Sequence, residues 1–224
     1  AKRAIDSGVS KYTAVSGIAS LKEAIAARSL ARRGVAVTPA EIVVTVGAKH
    51  ALFNLALALF EPGDEVIVPA PYWVSYPEQI KLVGAEPVIV SSHEREGFKI
   101  SPDSLAAALS PKTKALVLCT PSNPTGAAYH REELLALLRV FAERTDAWLI
   151  VDEIYAELVY DGFEQVSPMT LLPDLRDRMI VVDGVSKTYA MTGWRVGWCI
   201  APPSLAKALD TVQGQSTTNV TAVA

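Results

Sequence analysis

Cysteine is scarce. Cys119 and Cys199 are the only two in 224 residues, and both sit inside apolar runs, ALVLC and WCIA. That suggests no disulfide framework, and buried thiols in a reducing, cytoplasmic setting are expected. Histidine is nearly as rare. His50, His93 and His130 are scattered, with no H-E-x-x-H and no C-x-x-C, so no metal site is expected. Positive charge is not in excess either: the formal net charge is -3, which excludes the electrostatic footprint of a nucleic-acid or anionic-membrane binder. No apolar run is long enough to span a bilayer, since ALFNLALALF is short and holds Asn54. The opening AKRAIDSG lacks the apolar stretch of a secretory leader. Both ends read as cuts through something longer, with no initiator methionine before Ala1 and no cap or polar tail after NVTAVA. Three catalytic or phosphate-binding signatures are missing as well. Neither G-x-x-x-x-G-K-[ST] nor G-x-G-x-x-G occurs, and Gly184-Val-Ser186-Lys-Thr188 breaks the G-x-S-x-G nucleophile elbow at its last position.

What is present is a long alternation of strand and helix signals, in a chain 50% hydrophobic and long enough to bury a large core. Ser20-Leu-Lys-Glu23 has the form of a capping box opening a helix that Gly34 should close. IVVTV (42–46) reads as a strand, followed at once by Gly47 and a long apolar helix. Pro62-Gly63-Asp64 turns the chain into EVIVP, a helix around 74–83 ends at Gly84, and EPVIV follows. Ser101-Pro102 predicts an N-cap with proline in the first turn. ALVLC, a helix near 131–143 with Leu134, Leu137, Leu138 and Phe141 on one face, then WLIVD, MIVVDG and GWCIA complete the pattern, and a last helix starts near Pro203. The strand runs are apolar throughout and do not alternate, as in a sheet covered by helices on both faces. The expected fold is therefore α/β, a three-layer α/β/α arrangement around an open, mostly parallel sheet of about seven strands. Nothing divides the chain, so residues 1–224 are read as a single domain.

In such sheets, ligands gather beyond the carboxyl ends of the strands. Reading only those positions yields five short clusters: Gly47-Ala48-Lys49, Pro71-Tyr72-Trp73, Thr120 to Gly126, Asp152-Glu153-Ile154-Tyr155, and Ser186-Lys187 with Arg195 further on. Each has a plainer explanation. Gly47 can be a tight turn, though a helix start also offers unpaired N–H groups and a dipole to an anion. Trp73 can be core, Pro121 and Pro124 can simply shape the loop around Asn123, and Asp152 can cap the segment that begins with Glu153. Lys49 can be an exposed first-turn lysine, although the helix dipole disfavours it there. Taken together, the clusters supply an anion cradle, a flat aromatic platform, an amide, a buried carboxylate and a lysine. A phosphorylated aromatic aldehyde held as an imine uses all five, and pyridoxal 5′-phosphate needs both a Schiff-base lysine and an acidic partner for its ring nitrogen.

VTVGAKHALFNL, PYWVSYPE, TPSNPTG, VDEIY and VSKTYAMTGWRVGW resemble the motifs of class I pyridoxal-phosphate aminotransferases, most of all the bacterial-type aspartate aminotransferase subgroup, from about Lys11 to the C-terminus. The resemblance implies the large domain of a fold type I enzyme, with the small domain and N-terminal arm outside this chain. It implies that Lys187 carries the cofactor and shuttles a proton, that Asp152 pairs with the ring nitrogen, and that Asn123 and Tyr155 bond its phenolic oxygen. Trp73 would stack on the ring, while Arg195, Ser186 and the backbone at Gly47, Ala48 and Lys49 would hold the phosphate. Tyr12 would reach the phosphate of a neighbouring subunit in a homodimer, and Lys49, with Trp73 and Asn123 beside it, would bind the distal carboxylate of an acidic substrate. Gly193 and Gly197 are expected to let the backbone fold back on the sheet.

The activity so implied is transamination between aspartate and 2-oxoglutarate, with prephenate or an aromatic acid as the alternative partner. A reading of another class is a non-catalytic ligand-sensing module of a transcription regulator, against which stands the lack of a DNA-binding helix pair or basic patch before Lys11. A stand-alone piece that builds the cradle without completing the substrate site is a third.

Overall fold

The computed structural model describes all residues, 1–224. Seven strands form one sheet: β1 (Ile42–Thr45), β2 (Glu65–Ala70), β3 (Glu86–Ser91), β4 (Thr113–Cys119), β5 (Trp148–Asp152), β6 (Met179–Gly184) and β7 (Gly197–Ile200). Their order is β1-β7-β6-β5-β4-β2-β3. Only β7 runs against its neighbours, β1 and β6; every other pair is parallel. The helices are α1 (Lys2–Asp6), α2 (Ala19–Arg33), α3 (Ala48–Leu59), α4 (Ser75–Leu82), α5 (Pro102–Ala108), α6 (Arg131–Arg144), α7 (Pro168–Leu171) and α8 (Pro203–Gly214).

Two cores lie on opposite faces of the sheet, because successive strand residues point to opposite sides. In β1, Ile42 and Val44 join a core of 25 residues with Ile25 of α2, Leu105 of α5 and the apolar stripe of α6. Val43, between them, joins a second core of 21 residues with Ala51 and Leu55 of α3, Tyr76 and Ile80 of α4, and Leu205 and Leu209 of α8. The three-layer expectation therefore holds. The α6 stripe reads directly from the sequence: Leu134, Leu137, Leu138 and Phe141 recur at helical spacing and are all fully buried, each such side chain contributing about 1.5–3 kcal/mol. Ser101 also behaves as expected, its Oγ accepting from the Ser104 amide at 3.1 Å to open α5.

The start of α2 does not follow the capping box. Ser20 lies inside the first turn and Ile18 is the N-cap, with no side-chain cap. The Ile18 carbonyl already accepts from the Leu21 and Lys22 amides, each at 3.1 Å. Gly17 decides this. At φ 105 it passes so close to β1 that an added Cβ would lie 2.5 Å from a Val44 methyl, and the chain turns into the helix at once. At the other end, Gly34 is left-handed and its amide bonds the Leu30 carbonyl, as expected. The segment before α2 is held down by Gln213 of α8, whose amide nitrogen donates to the Val15 and Val44 carbonyls at 2.7 and 2.8 Å.

Candidate active site

The carboxyl ends of β1, β2, β4, β5 and β6 converge, and between them lies a cavity of about 330 Å³. Its walls bring together Ala48, Lys49, Trp73, Asn123, Asp152, Tyr155, Ser186, Lys187 and Arg195, all of them expected from sequence. Gly47 lies just behind Arg195. Tyr12 is not part of the cavity; it is 89% exposed and borders a shallow surface hollow with Lys11 and Thr217. A larger and more open hollow, about 730 Å³, lies at the opposite ends of β4 and β5 beside Lys114 and Trp148, without any such convergence.

At one end of the cavity, the chain leaves β1 through Gly47 (φ 83, ψ 161) into α3. The first amides of α3, at Ala48 and Lys49, have no carbonyl of the helix to bond and stay available. Arg195 comes to the same place from the other side in the left-handed region, at φ 53. Its guanidinium donates to the Thr192 carbonyl at 2.9 Å, and its end is seated on Gly47. An added Cβ at Gly47 would sit 2.6 Å from an Arg195 nitrogen. Gly197, at the start of β7, has the backbone of Gly47 and Ala48 where its own side chain would be. The role foreseen for Gly197 is thus observed. Gly193 differs: its missing Cβ would meet open space, and its φ is not positive, so nothing requires glycine there.

At the other end, Asp152 is 3% exposed and ends β5. Oδ2 accepts from the Tyr76 hydroxyl at 2.7 Å and Oδ1 from the Ile154 amide at 3.2 Å. Burial pushes the Asp152 carboxyl up to about 6 against these two bonds, with Asp183 and Glu153 adding to the rise. Glu153 starts no helix, so the capping alternative for Asp152 survives only as this one turn. Burial and the adjacent Asp152 raise Tyr76 well above the usual tyrosine range, so it remains a donor. Burial likewise lifts the Cys119 thiol, beside Asp152 on β4, to about 12, and neither Cys119 nor Cys199 is paired.

Between the two ends stand the remaining polar groups. Lys187 Nζ lies 5.4 Å from the centre of the Tyr155 ring. Asn123 Nδ2 donates to the Tyr155 hydroxyl at 3.4 Å, and Lys49 Nζ lies 4.8 Å from the Trp73 ring centre. The cavity can thus take a flat ligand with an anionic group at the α3 end and a basic nitrogen at the Asp152 end.

Tyr76, also in the cavity wall, is a residue that sequence reasoning passes over. A signal existed: it follows Trp73 by three residues, which puts both on one side of the turn into α4, their rings edge-on at 5.4 Å. Equally unforeseen is a buried ion network behind Asp152. There Arg33 Nε and Nη2 donate to Glu153 Oε2 at 2.9 and 2.7 Å, and Ser167 Oγ bonds Glu153 Oε1.

An open, mostly parallel α/β sheet with a lysine, an arginine and a buried carboxylate around one cavity at its strand ends is the architecture of a class of α/β enzyme folds. Within it, the chain belongs to the aminotransferase class I and II family, whose model matches residues 1–224. It is 47% identical over its whole length to an aspartate/prephenate aminotransferase of Cereibacter sphaeroides, covering 56% of that protein. To the aspartate aminotransferase of Geobacillus stearothermophilus it is 45% identical over 99% of this chain and 56% of that one. Among solved structures, the aspartate aminotransferase of Rhizobium meliloti superposes with a TM-score of 0.97 at 42% identity, over 99% of this chain and 56% of that one. The Thermus thermophilus enzyme, solved with maleate, gives 0.94 at 44% identity, over 99% and 57%. The chain therefore spans little more than half the length of the relatives it matches. No helix is long and apolar enough to cross a membrane.

Proposed function

We propose that residues 1–224 are the large, cofactor-binding domain of a pyridoxal 5′-phosphate-dependent aminotransferase. Its reaction is the ping-pong transfer of an amino group from aspartate to 2-oxoglutarate, giving oxaloacetate and glutamate. One observation carries the reading: a buried carboxylate, Asp152, and an amine, Lys187, border one cavity whose far end is the head of α3 with the Arg195 guanidinium. When bound, the cofactor supplies an electron sink for the carbanion formed at the substrate α-carbon.

The chain's own groups would divide the work. Arg195, Ser186 and the amides of Ala48 and Lys49 hold the phosphate, the arginine by charge-assisted bonds. Gly47 leaves room for that guanidinium. Trp73 would support the cofactor's ring, and Asn123 and Tyr155 would donate to its phenolic oxygen. Asp152 would keep the ring nitrogen protonated; a cation there would favour its ionised form, drawing it down from about 6. Lys187 Nζ would hold the cofactor and, displaced by the substrate's amino group, would be free as a neutral amine to take the proton from the substrate α-carbon and to hold it for return. Lys49, exposed at the rim over Trp73, suits the distal carboxylate of a dicarboxylic substrate. That the Thermus thermophilus relative was solved with maleate, a dicarboxylate, supports this choice.

Prephenate is the second acceptor reading, favoured by the name of the Cereibacter sphaeroides relative. The exposed ring of Tyr12 fits an arm reaching the phosphate of a second subunit in a homodimer. Two unpaired thiols fit a cytoplasmic setting. The test uses purified full-length protein with added pyridoxal phosphate. Lys187→Ala should remove the imine absorption band and leave noncovalent binding measurable, whereas a borohydride-reducible adduct surviving in that variant refutes the assignment. Steady-state turnover with aspartate, and with prephenate as acceptor, then separates the substrate readings.

A further inference from the structure

The C-terminal turn of α2 carries Arg32 and Arg33, and both guanidiniums meet two carboxylates at the ends of β5 and β6; Arg32 also lies 3.3 Å from Glu157, and Arg28, one turn earlier, lies 4.0 Å from Asp183. Arg33, 4% exposed, grips Glu153 and lies 3.3 Å from Asp183 Oδ2. Arg32 reaches the same two acids, at 3.3 Å from Glu153 Oε2 and 3.2 Å from Asp183 Oδ2. Glu153 and Asp183 are themselves 1% and 0% exposed.

The strand register explains why these acids matter to the cavity. Asp152 is the register partner of Val182 on β6. Each of the two acids is one residue further along, so they face α2 while Asp152 faces α4. The Glu153 amide ties the two strand ends together by donating to the Val182 carbonyl at 2.8 Å. Three carboxylates therefore share two adjacent strand ends, with a single layer of backbone between one of them and the other two. Asp152 has hydrogen bonds but no ion pair, and the arginines that pair with its two acidic neighbours all lie on the α2 side. Burial pushes Glu153 up, but Arg33 and Arg32 outweigh it and hold its carboxyl below the ordinary range, whereas at Asp183 burial prevails over the same two arginines and the carboxyl stays raised.

We propose that Arg32 and Arg33 are positioning residues for Asp152, acting through Glu153 and Asp183. By neutralising the two neighbouring acids, they leave Asp152 as the one negative group free to pair with a cation in the cavity. The catalytic meaning of this rests on the reading of Asp152 as partner of the ring nitrogen; the electrostatics do not. The other groups facing Asp152 are Tyr76 from α4, Cys119 from β4, Tyr155, and across the cavity Lys49, Lys187 and Arg195. None of them changes in the variants below.

The test is a carboxyl ¹³C NMR titration of the full-length, aspartate-labelled protein before cofactor is added, with the Asp152 signal assigned by its loss in Asp152→Asn. Arg33→Met should raise the Asp152 midpoint by about one pH unit, as expected for like charge left uncompensated nearby. Arg32→Met should raise it by less, and Glu153→Gln should lower it. A purely structural network predicts lower melting temperatures in all three with no movement of the midpoint, or movement in one common direction; either result overturns the proposal. If Arg33→Met does not fold, the opposite shifts of Arg32→Met and Glu153→Gln still decide it. Adding pyridoxal phosphate to the wild-type sample tests the underlying reading separately: an Asp152 midpoint that ignores the cofactor refutes the ring-nitrogen role, whatever the variants do.

Discussion

Removing a single oxygen, by Tyr76→Phe, takes away the hydrogen bond to Asp152 while leaving the ring itself in place. The bond is 2.7 Å long and both partners are buried. A hydrogen bond to a charged group contributes about 1.5–3 kcal/mol and one to a neutral group about 1. Phenylalanine therefore costs the ionised form of Asp152 about 1.5 kcal/mol more than the protonated form, which lifts its midpoint by about one pH unit. The sign of the stability effect follows. Asp152 sits at about 6, above its ordinary 3.8. Its contribution to stability is thus complete below the lower value and declines as pH rises through the higher one. In the variant the decline continues about one unit further. The stability deficit of Tyr76→Phe should be about 1 kcal/mol near pH 5 and about 2.5 kcal/mol near pH 8. For a chain of this size, about 2–4 °C accompany each kcal/mol. The assay is thermal unfolding of cofactor-free protein at both pH values. Tyr76 itself stays protonated throughout, so it adds no titration of its own. A deficit of equal size at the two pH values would refute the reasoning, since lost packing alone does not depend on pH.

Two further substitutions probe the frame around the cavity. Gly47→Ala demands an alanine at φ 83 with its Cβ 2.6 Å from Arg195; a loss of about 1–3 kcal/mol is expected from the backbone alone. Cofactor binding should also weaken about tenfold as the guanidinium is displaced, and an unchanged dissociation constant in a fluorescence titration would contradict the cradle. Gln213→Leu leaves the Val15 and Val44 carbonyls without their donor, at about 1–3 kcal/mol for each buried group. Hydrogen exchange at the Val44 amide, which bonds the Ser16 carbonyl, should then accelerate; unchanged protection would mean that the segment is held by other contacts.

What could be read from the sequence is what depends on short-range pattern. The strands announce themselves as unbroken apolar runs, α6 as a stripe at helical spacing, and the site as a set of polar clusters that a parallel sheet must bring to one edge. What could not be read depends on contacts across the fold. Ser20 and Glu23 have the right spacing for a capping box, but the close passage of Gly17 over Val44 sets the helix start instead. Arg33 looks like an ordinary charged residue at a helix end, and its partners are 120 and 150 positions away. Arg195 in the left-handed region has no local signature, because the seat on Gly47 is made by another strand. Tyr76 was within reach, but only by asking what a buried Asp152 would require as a partner.

The sheet order has a consequence for how the chain acquires its fold during synthesis. β1 is an edge strand whose only partner is β7, so Ile42 to Thr45 must wait for Gly197 to Ile200 before a single rung of that ladder forms. Contacts of such long sequence separation close late, and a ribosome delivers the amino-terminal part first. The parallel strands β2 to β6 can assemble while β1 is still unpaired. The anion cradle, which needs Gly47 after β1 against Arg195 and Gly197 at the start of β7, therefore cannot form until the chain has been made as far as Gly197.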